Sequence, residues 1–307
     1  MEEYVTIGGL LLGLSFMICT LANTLIQRWH YKIVMLVGTA IIFLAFWLAS
    51  IAKTITQLII FQGLILSIGY GLAAGACFVI IPMWFLKRRS VAQGIAAAGA
   101  GLGGIVFARP VQIIIEKYPD NGVKWELRMQ GLVCGFMLVL SIALMKICRP
   151  LIDPKLGTKE RPLWKEITAF LFRWDLYKKL PMTCLLLWNM LYGVGYTILL
   201  FSFSSYATAV GLTYSQGSDV TTVQSVAQLV GRPILGLISD RIGRINATIG
   251  FTFFLSIIVL VWWIFIRNYA ELLVFAFIVG FIMGINWVNF GPMTADYCGG
   301  GTRDSLH

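Results

Sequence analysis

Arg232 is the side chain in this sequence with the clearest capacity for chemistry away from water. It stands in a run of mostly uncharged residues, 218–238, with Gln228 one helical turn before it and Pro233 directly after it. A guanidinium keeps its charge at any ordinary pH, and its fork of N–H donors matches a carboxylate two bonds at a time. Eight residues separate Arg232 from Asp240, about 12 Å along a helix rising ~1.5 Å per residue. At such a depth in a bilayer an arginine costs roughly 2.5–3.5 kcal/mol, so it marks a solute path unless backbone carbonyls satisfy it. Pro233 has no N–H and frees one such carbonyl, so both readings stand. Arg109 differs. It lies nineteen residues beyond Ser90, about 28 Å along a helix, where it reaches the far headgroups and snorkels. Asn189, Tyr192 and Tyr196, with Asn286 and Asn289 further on, are ligands of the same cavity or hydrogen-bond partners between helices.

Two charged turns must hold these groups in place. In WFLKRRSVAQGIAAAGAGLGG, residues 84–104, Lys87, Arg88 and Arg89 separate two apolar runs. Three charges cannot lie in hydrocarbon, so the chain turns there at a membrane surface. The run that follows carries Gly94, Gly99, Gly101, Gly103 and Gly104 among alanines, a pattern that lets helix backbones approach closely. In GRPILGLISDRIGR, residues 231–244, Gly236 and Gly243 permit close approach and a tight turn. Asp240 falls at a helix end, where its carboxylate can accept from the unpaired amides of a neighbouring helix N-terminus. Arg241 and Arg244 give the turn a basic edge.

The elements that carry these groups are transmembrane helices. Of 307 residues, 58% are hydrophobic and 12% charged, far too apolar for a soluble domain. Nine runs, 4–26, 33–52, 57–84, 91–115, 125–148, 182–204, 218–238, 246–266 and 271–292, mostly approach the ~20 residues that a bilayer needs. With the first run going from outside to inside, seventeen lysines and arginines fall on one face and five on the other. The basic face is the cytosolic one, which puts the N-terminus outside and the C-terminus in the cytosol. The net charge of +10 then belongs to a membrane face, and no nucleic-acid partner is expected. Six cysteines are scattered without metal or disulfide spacing, and they read as small hydrophobes. The two histidines, His30 and His307, have no triad partners. We therefore expect no enzyme, no metal and no cofactor.

The one long connection, 149–180, begins with Pro150, Pro154 and Pro162 and continues as LWKEITAFLFRWDLYKK. Leu163, Ile167, Phe170, Leu171 and Trp174 recur near helical spacing between charges, which predicts an interfacial helix on the inner leaflet.

The two charged turns resemble those of the monocarboxylate transporter family of the major facilitator superfamily. Residues 84–99 fit its aromatic-Phe-x-Lys-Arg-Arg-x-x-Ala-x-Gly-x-Ala-x-Ala-Gly string. Residues 236–244 fit the superfamily's Gly-x-x-x-Asp-Arg-x-Gly-Arg loop. The order of Gly195-Tyr196, Ser205-Tyr206-Ala207, Gly211-Leu212 and Asn246 is similar to the fungal permease-like branch.

The resemblance implies an all-α integral membrane bundle of two pseudo-symmetric six-helix halves. Here these are residues 1–148 and 181–307, joined by the linker at 149–180. Nine of twelve helices are accounted for. The first, eleventh and twelfth are missing, so a chain truncated at both ends is expected. The loop NTLIQRWHYK, residues 23–32, stands where the first-half signature belongs and keeps only its basic character. Pseudo-symmetry sets Asp240 against the start of the helix after Lys87, Arg88 and Arg89, and the whole forms a cytoplasmic gate with Gly236, Arg241, Gly243 and Arg244. The family's substrate-carboxylate arginine falls on Arg232. Gln228 stands where the family has an aspartate, which puts proton coupling in question. The expected function is secondary-active transport of a small organic solute, a carboxylate, by alternating access, with or without a co-transported proton. The expected setting is the lipid bilayer of a plasma or vacuolar membrane. The alternative is a non-transporting relic or membrane sensor on the same scaffold.

Overall fold

The computed structural model describes residues 2–85, 87–118, 121–146, 178–209, 211, 214–266 and 268–298. Each of the nine expected runs is helical over most of its described residues, and the described residues contain no strand. In order they are α1 (Glu2–Arg28), α2 (Tyr31–Ser50) and α3 (Ile55–Leu58), which passes through a π-helical turn (Ile59–Ile65) into α4 (Leu66–Trp84). Then come α5 (Arg89–Lys117), α6 (Gly122–Leu144), α7 (Leu180–Ala209), α8 (Tyr214–Ile242) and α9 (Arg244–Trp262), with a 3-10 turn at Trp263–Phe265. The last two are α10 (Tyr269–Ile282) and α11 (Ile285–Cys298).

Local chemistry sets several ends. His30 caps α2 by accepting from the Lys32 amide at 3.4 Å, and Thr54 caps α3 through the Gln57 amide at 3.3 Å. Glu271 reaches back to the Asn268 amide at 3.4 Å, the reciprocal half of a capping box. Among the described residues, eight stretches are long and apolar enough to cross a membrane. The expected run 218–238 is not among them, because the buried face of α8 is polar, carrying Gln224, Gln228 and Arg232. Large apolar side chains lie bare on the helix surfaces, Phe136 and Phe253 at 67% and Leu260 at 70% exposure. Exposure of that kind suits hydrocarbon and not water.

The chain groups into two compact units, Met1–Trp84 with Val111–Trp174, and Phe85–Pro110 with Asp175–His307. In the first, α4 packs on α1 and α2, and α6 packs on α2. Its core joins Ala22 and Ile26 of α1 to Val34 and Met35 of α2, Leu72, Ala76 and Ile80 of α4, and Ile142 of α6. Two side chains pin the end of α6. The Tyr31 hydroxyl donates to the Met145 carbonyl at 2.9 Å, and the Trp84 indole donates to the Lys146 carbonyl at 2.9 Å.

In the second unit α8 is central, touching α7, α9, α10 and α11. An aromatic cluster of Phe203, Trp263 and Phe275 fills one end, closed by the Tyr206 hydroxyl donating to the Ile266 carbonyl at 2.7 Å. Residues 85–110 pack with this unit. The cause is the small-residue face of α5. A side chain at Gly94 or Gly101 would come within 3.0 Å of the α8 backbone at Arg232 or Leu229, so only glycine lets the two helices touch there.

The linker helix expected within 149–180 lies outside the described residues up to position 177. So do the side chains of Arg109, Gln27 and Arg28.

Candidate solute-binding site

The site is built on α8, one turn either side of Pro233. Arg232 is 3% exposed. Its terminal nitrogens donate to the Gln228 side-chain oxygen and to the Ala97 carbonyl of α5, and its Nε–H is buried without a partner. The carbonyl that satisfies it belongs to the neighbouring helix and not to the one freed by Pro233. Among the described residues no carboxylate comes within ion-pair distance of Arg232. A buried guanidinium held by two neutral oxygens keeps its full charge, and an anion is its natural partner.

The run 271–292, expected as one helix, breaks at Met283–Gly284 between α10 and α11. The break is where Arg232 passes. A Cβ on Gly284 would meet the arginine's Cγ at 2.6 Å, so only glycine leaves room for the side chain. The Met283 carbonyl at the break accepts from Tyr192 at 3.0 Å, and the Met283 sulfur takes the Gln224 amide at 3.2 Å. Interrupted helices at a buried polar group are how membrane carriers present backbone dipoles to a solute.

Tyr192 and Tyr196 of α7 both lie within electrostatic reach of Arg232. Tyr196 also packs edge-on against Trp287 at 6.0 Å between centroids. Asn286 is buried, with its side-chain oxygen unpaired. The structure thus gathers Arg232, Gln228, Tyr192 and Tyr196 into one cluster. Asn189 is half-buried and makes no hydrogen bond within the described residues.

Asn289 does not join this cluster. It is fully buried and donates to Ser239 at 2.9 Å and to Thr248 at 2.8 Å, tying α8, α9 and α11 together. A groove lined by Leu185, Trp188, Ile249, Phe253 and Met293 also marks this unit and does not include Arg232. Its lining carries no charged side chain, so it suits an acyl chain better than an ionic solute.

The second charged turn meets the start of α5. Asp240 accepts from the amides of Ser90 at 3.3 Å and Val91 at 3.0 Å, two of the free donors in the first turn of that helix. Arg244 donates to the same carboxylate through Nη2 at 3.1 Å and Nε at 3.2 Å, and its Nε also donates to the Ser90 hydroxyl at 3.1 Å. Gly236 lets the backbones close, since a Cβ there would lie 2.6 Å from the Ser90 carbonyl oxygen. Gly243 turns the chain with φ of 102°, a value that side-chain-bearing residues rarely adopt.

Asp296 of α11 completes the group. It pairs with Arg89 at 2.9 Å and also with Arg244. Arg89 is thus part of the junction, while Lys87, Arg88 and Arg241 are exposed and stand outside it. Sequence reasoning missed Asp296, Ala97 and Gly284. Asp296 lies 52 positions from Arg244, with no local pattern to link them. Ala97 acts through its backbone.

Comparison with known proteins places these features in a family. The family model described as Major Facilitator Superfamily matches residues 5–306. The uncharacterized transporter ESBP6 of Saccharomyces cerevisiae is 30% identical over 295 residues, covering 96% of this chain and 43% of the relative. The probable transporter MCH2 of the same yeast is 32% identical over 293 residues, covering 93% of this chain and 58% of the relative. The aspyridones efflux protein apdF of Emericella nidulans is 25% identical over 276 residues, covering 90% and 53%. The chain thus spans about half the length of the curated relatives that it matches.

Proposed function

The chain belongs to the Major Facilitator Superfamily, and on that footing we propose that it serves secondary-active transport of a small organic carboxylate by alternating access. Arg232 carries the reading. A permanently charged fork, buried at 3% exposure and with no carboxylate partner among the described residues, is matched by a solute that brings the carboxylate with it. Tyr192, Tyr196 and Asn286 supply polar neighbours, and the break at Gly284 leaves room for the arginine side chain. The monocarboxylate-permease-like resemblance of the charged turns points to the same substrate class.

Gln228 has no proton to exchange, so the pair formed with Arg232 couples to none. A co-transported proton needs a titratable group elsewhere. The junction of Asp240, Arg244, Asp296 and Arg89 acts as a latch at one end of α5 and α8. Its bonds are made or broken as the cycle proceeds.

The test uses the protein expressed from its own gene and reconstituted in vesicles. Labelled small monocarboxylates are compared with their primary amides, which keep shape and lose charge. Flux is measured in both directions, since one relative is named for efflux. Saturable exchange of acids at ten times or more the rate of amides is the expected result. Equal exchange of both, or no saturable exchange of either, would remove the proposal.

We also propose a cytosolic location for the basic face, in a plasma or vacuolar membrane. An epitope inserted at Thr158 is then reached by antibody only after the cytosolic side is opened, and one at Asn121 only from the opposite side. An Asn121 epitope on the cytosolic side would invert the assignment.

A further inference from the structure

We infer that the paired ends of α2 and α6 form a binding site for the phosphate of a membrane phospholipid, built around Arg128. The guanidinium lies 5.2 Å from the ring centroid of Trp47 and 5.4 Å from that of Trp125. Its Nε donates to the Ser50 hydroxyl at 3.2 Å. Ser50 is itself 1% exposed and donates to the Trp47 carbonyl at 2.7 Å. The stem of the arginine is therefore fixed, and its plane is flanked by two aromatic rings.

Its two terminal nitrogens make no hydrogen bond or ion pair within the described residues. The nearby Glu126 is engaged instead with the Gln130 amide at 2.5 Å. A half-buried charge fixed in place without a counter-ion is a recognition element in want of an anion.

Position says which anion. Trp47 lies in the last turn of α2, and Arg128 lies about 9 Å inside the start of α6 at ~1.5 Å per residue. Both helices contain membrane-length apolar stretches, so this is the level where headgroups meet acyl chains. The two tryptophans are 44% and 53% exposed, as amphipathic rings are at that level. Lys53 and Lys124 lie exposed at the same end and add attraction for a phosphate group. The anion present at this depth in every bilayer is the phosphodiester, whose two free oxygens match the guanidinium fork. The ring faces cover the glycerol and the first methylenes, which a free phosphate lacks.

The experiment titrates the detergent-purified protein with dioleoylphosphatidylglycerol and reads bound lipid by native mass spectrometry. Dioleoylglycerol tests the phosphate, and soluble glycerol 3-phosphate tests the lipid. The parent should hold one phosphatidylglycerol per chain in preference to dioleoylglycerol, and glycerol 3-phosphate should not displace it. Arg128→Gln should weaken the lipid at least tenfold. Arg128→Lys should weaken it nearly as much, because a point charge cannot fork. Trp125→Leu, which leaves the bond to Ser50 intact, should weaken it about threefold and carries the test if Arg128→Gln does not fold. Parent affinity in these variants overturns the site. Equal binding of dioleoylglycerol removes the phosphate from it, and displacement by glycerol 3-phosphate reassigns it to a soluble anion.

Discussion

Arg232→Lys is expected to lower carboxylate exchange by roughly 10- to 100-fold at matched surface expression, although the charge is kept. The loss follows from geometry. Lysine offers a compact ammonium and cannot bind two carboxylate oxygens in one plane, and a charge-assisted hydrogen bond is worth about 1.5–3 kcal/mol. Nor can it reproduce the bridge from Gln228 to the Ala97 carbonyl. Gln228→Asp should act differently. An ionised carboxylate one turn away pairs with Arg232 and competes with the solute. Protonation on acidification releases the arginine, so exchange by this variant should rise as pH falls. Parent-like exchange by Arg232→Lys would place the solute on another helix.

Asp240→Ala is expected to produce the largest loss of stability, about 3 kcal/mol, read as earlier unfolding in a denaturing-detergent titration. The Asp240 side chain is 7% exposed and that of Arg244 14%. Removing the carboxylate leaves two helix-end amides without their acceptor and leaves Arg244 only Asp296 and the Ser90 hydroxyl, and breaking a buried pair from one side costs about 3–5 kcal/mol. Asp240→Asn should be milder, because the amide oxygen still accepts from the Ser90 or Val91 N–H. Gly236→Val tests the same junction sterically. Its Cβ would meet Ser90 backbone at 2.6 Å, and overpacking of this kind costs about 1–3 kcal/mol. Unchanged unfolding of Asp240→Ala would mean that the contact is incidental.

What the sequence made legible is what it encodes locally. The turn at 236–244 is a dense string of glycine, aspartate and arginine, and each residue type has one plausible job at its position. The contact from Asp240 to the start of α5 could be anticipated from pseudo-symmetry alone. Asp296 could not, because it is a single carboxylate near the end of an apolar helix and reaches Arg244 only through the fold. The break at Gly284 was equally hidden. A glycine in an apolar run reads the same in a straight helix as in an interrupted one, and the arginine that demands the space lies on another element. The π-helical turn at Ile59–Ile65, which packs beside α1, left no trace in residue types. The polarity of α8 was visible in Gln224, Gln228 and Arg232. What the sequence left open was which oxygens answer the arginine, and one of the two is a backbone carbonyl.

Equilibrium binding reaches the central claim most directly, because it isolates the site from the transport cycle. A labelled monocarboxylate that the parent exchanges is bound to purified parent protein and to Arg232→Lys, and retained label is counted against excess unlabelled acid and excess amide. Saturable binding by the parent, displaced by the acid and not by the amide, and weakened roughly 10- to 100-fold in Arg232→Lys, is the predicted result. Equal affinity of the two proteins for the acid, or equal displacement by the amide, would contradict a carboxylate site at Arg232.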